Sequence, residues 1–111
     1  MAFEAVDPRQ RRITCRDGDW AQHVVAHHPE TAGWQCHAQQ TIEDPDTILQ
    51  DRDFPDRQIY YRIGMLPGKY ARFDLKVVVK FEGPNGVLLT AYPVKKWKQE
   101  GDIVWIAKRG A

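Results

Sequence analysis

The chain lacks most of the features that announce a function. No apolar run approaches the roughly 20 residues that a membrane-spanning helix needs, which argues against a membrane protein. The N-terminus, Met1-Ala2-Phe3-Glu4, has no basic stretch followed by an apolar one, so no secretory signal is expected and the expected compartment is the cytoplasm. Cysteine is scarce. Cys15 and Cys36 allow one disulfide at most, and without CxxC spacing they read as two structural thiols in a reducing environment. There is no glycine-rich phosphate loop, nucleophile elbow or catalytic-cysteine signature. Net charge is also nearly absent, at +1. With 111 residues, the chain is long enough for one core and too short for two, so residues 1–111 are read as a single domain.

The small net charge hides an uneven distribution. Residues 1–57 hold 6 Lys/Arg against 11 Asp/Glu, whereas residues 58–111 hold 10 against 4. One acidic and one basic surface are expected, and the basic one suits phosphates. The plain alternative is two solvated surfaces that attract each other across the domain.

Three of the four histidines, His23, His27 and His28, fall in one stretch between Asp19 and Pro29. Asp17 or Asp19 can cap a helix there, running to about His28, with Trp20 and Val24 on its inner stripe. Histidine is the side chain suited to moving protons near neutral pH, so the stretch points to proton chemistry or to a metal. Zinc is disfavoured. His23 and His27 stand four apart, but Val24 occupies the position of the glutamate in HExxH, and the spacing of His37, Cys15 and Cys36 is not diagnostic. Neither a metal nor another cofactor is therefore expected. His28 lies at the helix end, where the dipole favours a cation. His23 is read as either a proton carrier or a core-edge residue, and His27 as a solvent-facing bystander.

A small hairpin is expected from Phe3–Val6 and Arg12–Cys15 around Asp7-Pro8-Arg9-Gln10. A second helix is expected over Thr31–Ile42, with Trp34, Ala38 and Ile42 inward. Asp44-Pro45-Asp46 reads as the start of a short helix carrying Ile48 and Leu49. After Pro55 the period becomes two. Strands are expected at Ile59–Ile63, Phe73–Phe81, Val87–Tyr92 and Ile103–Ile106, with turns at Gly83-Pro84-Asn85-Gly86 and Glu100-Gly101-Asp102. The expected class is α+β, with N-terminal helices packed on a four-stranded antiparallel β-meander. If Phe73, Leu75, Val77, Val79 and Phe81 face the helices, alternation puts Arg72, Lys76 and Lys80 on the opposite face. Tyr60, Arg62, Thr90 and Tyr92 are assigned to that face by the same parity. Cations, a hydroxyl and aromatic rings on one open face suit RNA, although charged residues also alternate outward on any half-exposed sheet.

The order Asp19-Trp20…His23-Val24…His28-Pro29-Glu30, then Glu43-Asp44-Pro45-Asp46-Thr47-Ile48, Tyr60-Tyr61-Arg62, Leu75–Lys80 and Thr90-Ala91-Tyr92 resembles a family. It is similar to the small phage and mobile-element nuclease-like domains of the BECR superfamily, which groups barnase, EndoU, colicin and ribosome-dependent toxin nucleases. The resemblance spans about residues 12–106. It implies a BECR-like fold and metal-independent endoribonuclease chemistry, in which a 2′-hydroxyl attacks the adjacent phosphate under general acid/base catalysis. His23 and His28 match the family histidines, Arg62 its basic strand residue, and Thr90 and Tyr92 its Thr-Ala-Tyr strand. The implied catalytic set is His23, His28, Arg62 and Thr90, with Tyr60, Lys76, Lys80 and Tyr92 binding substrate. The implied partners are RNA (tRNA or mRNA) and, for a toxin or phage effector, an inhibitor or antitoxin protein. The alternative is a non-catalytic RNA- or protein-binding module using the same face.

Overall fold

The computed structural model describes residues 2–108. Seven strands form one mixed sheet: β1 (Phe3–Val6), β2 (Arg12–Cys15), β3 (Thr47–Gln50), β4 (Arg57–Ile63), β5 (Asp74–Glu82), β6 (Asn85–Val94) and β7 (Ile103–Ile106). Their spatial order is β1-β2-β6-β5-β4-β3-β7. Neighbours are antiparallel except for β2 and β6, which run parallel through Ile13–Gly86 and Thr14–Val87. Helical structure is slight. A single α-turn, Asp17–Asp19 (α1), passes directly into a π-helix, Trp20–Val25, and a 3-10 turn at Pro29–Thr31 precedes α2 (Gln35–Glu43).

The expected architecture, helices packed on a four-stranded meander, is therefore not what forms. Two differences account for this. First, residues 47–50 make a strand instead of continuing a helix from Asp44-Pro45-Asp46. Thr47, Ile48 and Leu49 are all buried, Ile48 on one face and Leu49 on the other. A strand buried on both faces has no alternation to reveal it, and its apolar run reads equally as helix. Second, β7 pairs with β3 and not with β6. The chain leaves β6 at Val94, crosses β5, β4 and β3, and returns as the far edge strand, so residues 95–102 form a strap over one face. The hairpin of β1 and β2 forms as expected, with Phe3 opposite Cys15, but it extends the same sheet.

The two faces are covered unequally. One face carries the main core: Trp20, Val24, Trp34, Ala38 and Ile42 from the helical segments meet Tyr60, Leu75, Val77, Val79, Leu88 and Ala91 from the strands. The stripes Trp20/Val24 and Trp34/Ala38/Ile42 are buried as their spacing requires. Helix boundaries differ from expectation. The π-helix stops at Val25, and α2 starts only at Gln35, beyond the Pro29 turn and Gly33. On the other face Leu49, Ile59 and Tyr61 pack against Val94 at the end of β6 and Trp97 of the strap.

A buried polar cluster pins the hairpin turn across the core face. The Asp7 carboxylate accepts from the Arg9 and Arg11 backbone N–H groups, from the Arg9 guanidinium at 2.8 Å and from the Tyr60 hydroxyl at 2.7 Å. Burial pushes the Asp7 carboxyl up, but these hydrogen bonds and the Arg9 charge outweigh it and hold it below its ordinary value.

Candidate functional site

The strand register decides which side chains share the open face. Directly opposed residues in an antiparallel pair point the same way. Lys76 on β5 is opposite Tyr61 on β4 and Tyr92 on β6, so these three form one row on the strap side. Tyr60 is opposite Val77 and Arg62 is opposite Leu75, which places both on the core face. The expected grouping of Tyr60 and Arg62 with Lys76 is thus off by one position in β4. Alternation within β4 and β5 holds, but pairing between strands depends on the intervening loop, residues 64–73, which no pattern specifies.

The row is completed from two other elements. Past Val25 the chain turns, and the His28 N–H donates to the Val24 carbonyl at 2.8 Å while its own carbonyl accepts from the Thr31 N–H and hydroxyl. These bonds hold His28 so that its ring stacks on Tyr92, with centroids 4.5 Å apart and planes 17° apart. β2 pairs with β6 only at Gly86 and Val87, and the π-helix packs beside β6. From the strap, Glu100 reaches in. Its Oε2 accepts from Lys76 Nζ at 2.7 Å and its Oε1 from the Tyr61 hydroxyl at 2.7 Å. Lys76 Nζ also lies 5.4 Å from the centre of the Tyr92 ring.

The result is an open cleft of about 540 Å³ floored by Tyr61, Lys76 and Tyr92 and edged by Lys95, Lys96, Lys98 and Glu100. Burial disfavours the Lys76 ammonium, yet hydrogen bonds with Glu100 and Tyr92 prevail and hold its pKa above the ordinary lysine value. Burial likewise raises the Glu100 carboxyl, but Lys76 and Tyr61 prevail and keep it below the ordinary glutamate value. Tyr61 is pushed far up by burial and by Glu100, so it stays a phenol and a donor. The cleft therefore holds a fixed cation, a fixed carboxylate, an aromatic ring and a rim of three further lysines, and the His28 imidazole stacks on that ring.

Of the residues singled out from sequence, His28, Lys76 and Tyr92 are brought together, and Thr90 lies on the same face opposite Val78. The others lie elsewhere. His23 is largely exposed and sits 3.7 Å from Asp19. The Arg62 guanidinium donates to the Asp44 carbonyl and carboxylate at 2.8 and 3.1 Å, on the core side. Tyr60 is fully buried and donates to Asp7. Lys80 is on the open face, beyond Val78, near Asp56 at 3.9 Å. A pocket joining His28 to Arg62 and Thr90 does not form, because Arg62 and Thr90 are on opposite faces.

Tyr61, Glu100 and the lysines of the strap were not foreseen. The run Lys95-Lys96-Trp97-Lys98, cations around an aromatic, is a legible signal for an anionic partner. Glu100 read only as part of a turn, and nothing local ties it to Lys76. Among the described residues, no group of three or more His, Cys, Asp or Glu side chains is arranged to hold a metal ion. Cys15 is buried and Cys36 exposed; burial and the nearby Asp19 and Asp17 push the Cys15 thiol up to about 11, leaving it inert as a nucleophile. No helix of the described residues is long and apolar enough to cross a membrane. No protein-family model, curated protein or solved structure matches the chain.

Proposed function

We propose that the protein is a metal-independent endoribonuclease-like domain that binds RNA in the cleft between the strap and the His28 turn. The observation that carries this reading is the chain of contacts Glu100–Lys76–Tyr92–His28: a carboxylate, a cation and a ring lining one open cleft, with an imidazole stacked on that ring.

Cleavage by an internal 2′-hydroxyl needs a group to take its proton, a cation at the phosphate and a group to protonate the departing oxygen. In this reading the Glu100 carboxylate takes the proton of the 2′-hydroxyl. The 2′-oxygen attacks phosphorus, and the bond from phosphorus to the 5′-oxygen breaks. The His28 imidazolium gives its proton to that 5′-oxygen, leaving a cyclic phosphate. Lys76 sits between the two and neutralises the charge that builds on the phosphoryl oxygens. The strap lysines Lys95, Lys96 and Lys98 draw the polyanion in. His23 and Arg62 have no part in this arrangement, unlike in the family resemblance.

The test is incubation of the purified protein with tRNA or mRNA in the presence of a chelator, beside His28→Ala and Lys76→Ala variants. The wild type is expected to leave cyclic-phosphate ends, and each variant to lose about 10²-fold or more of the rate. Intact RNA, or equal cutting by the variants, would overturn the reading. RNA that is bound but never cut identifies the binding module instead, and cleavage abolished by chelator identifies a metal enzyme.

A further inference from the structure

The open face continues past the cleft. At the far end of β5 and β6 a second hollow of about 350 Å³ is lined by Arg12, Thr14, Lys80, Glu82, Asn85 and Val87. Resting on the RNA reading above, we propose that this hollow is a second phosphate subsite, and that the strip of β5 and β6 between the two is a track for single-stranded RNA.

The register carries the continuity. Lys76 opposes Tyr92, Val78 opposes Thr90, Lys80 opposes Val87, and Val87 opposes Thr14 of β2, so all of these lie on the same face. Between the Val78–Thr90 and Val79–Leu88 pairs the register shifts, leaving Leu89 as the extra residue of a β-bulge. Without it Thr90 and Val87, three apart, would point to opposite faces. The bulge re-aims the strand so that one strip reaches from cleft to hollow. Lys76 and Lys80 are four residues apart on one strand, which places them ~13 Å apart along the strip.

The strip is also accessible. The strap buries Leu49, Ile59 and Tyr61, on the β3 and β4 side, to 1% exposure or less. On β5 and β6, Val78 and Thr90 are only half-buried and Val87 is 43% exposed. Two cations at the far end are weakly committed. Arg12 keeps 62% of its side chain exposed, beside Glu4 at 3.2 Å, and Lys80 is 3.9 Å from Asp56. Exposed pairs of this kind contribute little and yield to a phosphate. The Thr14 hydroxyl and Asn85 amide add neutral donors, while Glu82 is the one carboxylate among the described residues of the hollow's lining. A strip of two strands with cations at both ends and a ring stack at one end suits an unpaired strand, whose bases are free to stack. Grooves of this kind begin at about 4 nucleotides.

Binding of 2′-O-methyl oligonucleotides, which cannot undergo attack by a 2′-hydroxyl, tests the track separately from cleavage. Fluorescence anisotropy is read for strands of about two and about eight nucleotides, bracketing the expected site. The wild type is expected to bind the longer strand at least about tenfold more tightly. The Arg12→Ala/Lys80→Ala variant should lose that gain, and its salt dependence should fall by about 0.7 log units per log of salt for each lost contact. Both side chains are exposed enough for the variant to fold, which a thermal melt checks. A length gain that survives in the variant, or no length gain in the wild type, overturns the track. So does an acidic peptide that competes as well as the oligonucleotide, because it identifies a protein partner. Loss of the length gain in the variant, with unmodified RNA left uncut by the wild type, supports the track and removes only the enzyme reading. Cleavage by the wild type with the length gain retained in the variant removes only the track.

Discussion

Glu100 Oε2 lies 2.7 Å from Lys76 Nζ, a contact between the strap and the middle of the sheet. The carboxylate thereby stands at the cation that a substrate phosphate would approach, and among the described residues it is the only acidic side chain lining the cleft. In the proposed reaction it would compete with the phosphate for Lys76 while supplying the base. These two roles separate kinetically.

Glu100→Gln should lower kcat by about 10²-fold or more and leave KM unchanged or reduced, because the amide releases Lys76 without accepting the proton. Since Glu100 is held below the ordinary glutamate value of 4.5, the wild-type rate should fall on the acid side only as pH passes below that value. The variant should lose this acid limb. A variant that keeps both kcat and the limb would remove Glu100 from the chemistry.

Gly101 is the residue that lets Glu100 reach the cleft. A Cβ there would collide with the Gln50 carbonyl oxygen of β3, a backbone atom unable to move alone. Around it the strap is tied down by Gln50 N–H to the Asp102 carbonyl, Arg52 N–H to the Glu100 carbonyl and Trp97 N–H to the Asp74 carboxylate. Gly101→Ala should therefore lift the strap, with a cost of roughly 2–3 kcal/mol in a urea titration. Cleavage should fall with it even at temperatures where the variant remains folded, because the Glu100–Lys76 contact opens.

The Asp7 cluster predicts a distinct stability effect. Asp7→Ala leaves the Arg9 guanidinium and the Tyr60 hydroxyl without their shared acceptor, and should cost about 3–5 kcal/mol. A carboxyl whose folded pKa is depressed stabilises fully above its unfolded value and loses that contribution as pH falls through the folded one. Asp7 is such a group, lowered from 3.8. The wild type should therefore lose stability below about pH 4, and Asp7→Asn should show a shallower acid dependence. Parallel acid profiles for the two proteins would contradict this assignment.

The local features of the chain were legible in its residues. Alternation in residues 73–81 specifies a strand, the Trp20/Val24 and Trp34/Ala38/Ile42 stripes specify buried helical faces, and the Asp7-Pro8 turn specifies a hairpin. Each depends on neighbours a few residues away, where periodicity reports burial directly. Residues 47–50 escaped because a strand covered on both faces carries no period. Within the site, the pairing of His28 with Lys76 and Tyr92 was only half visible: their chemistry and the Lys76–Tyr92 parity could be read, but the stack could not.

What the sequence determined by itself was the identity of the strands around the site and the supply of cations and rings on alternate positions. Tertiary structure decided which of them meet. The register of β4 against β5 chose Tyr61 over Tyr60 as the neighbour of Lys76, and a bulge at Leu89 aligned Thr90 with Val87. The return of the chain to β3 carried Glu100 over the sheet. These are long-range choices, set by which registers bury both apolar faces at once, and no window of local sequence contains that comparison.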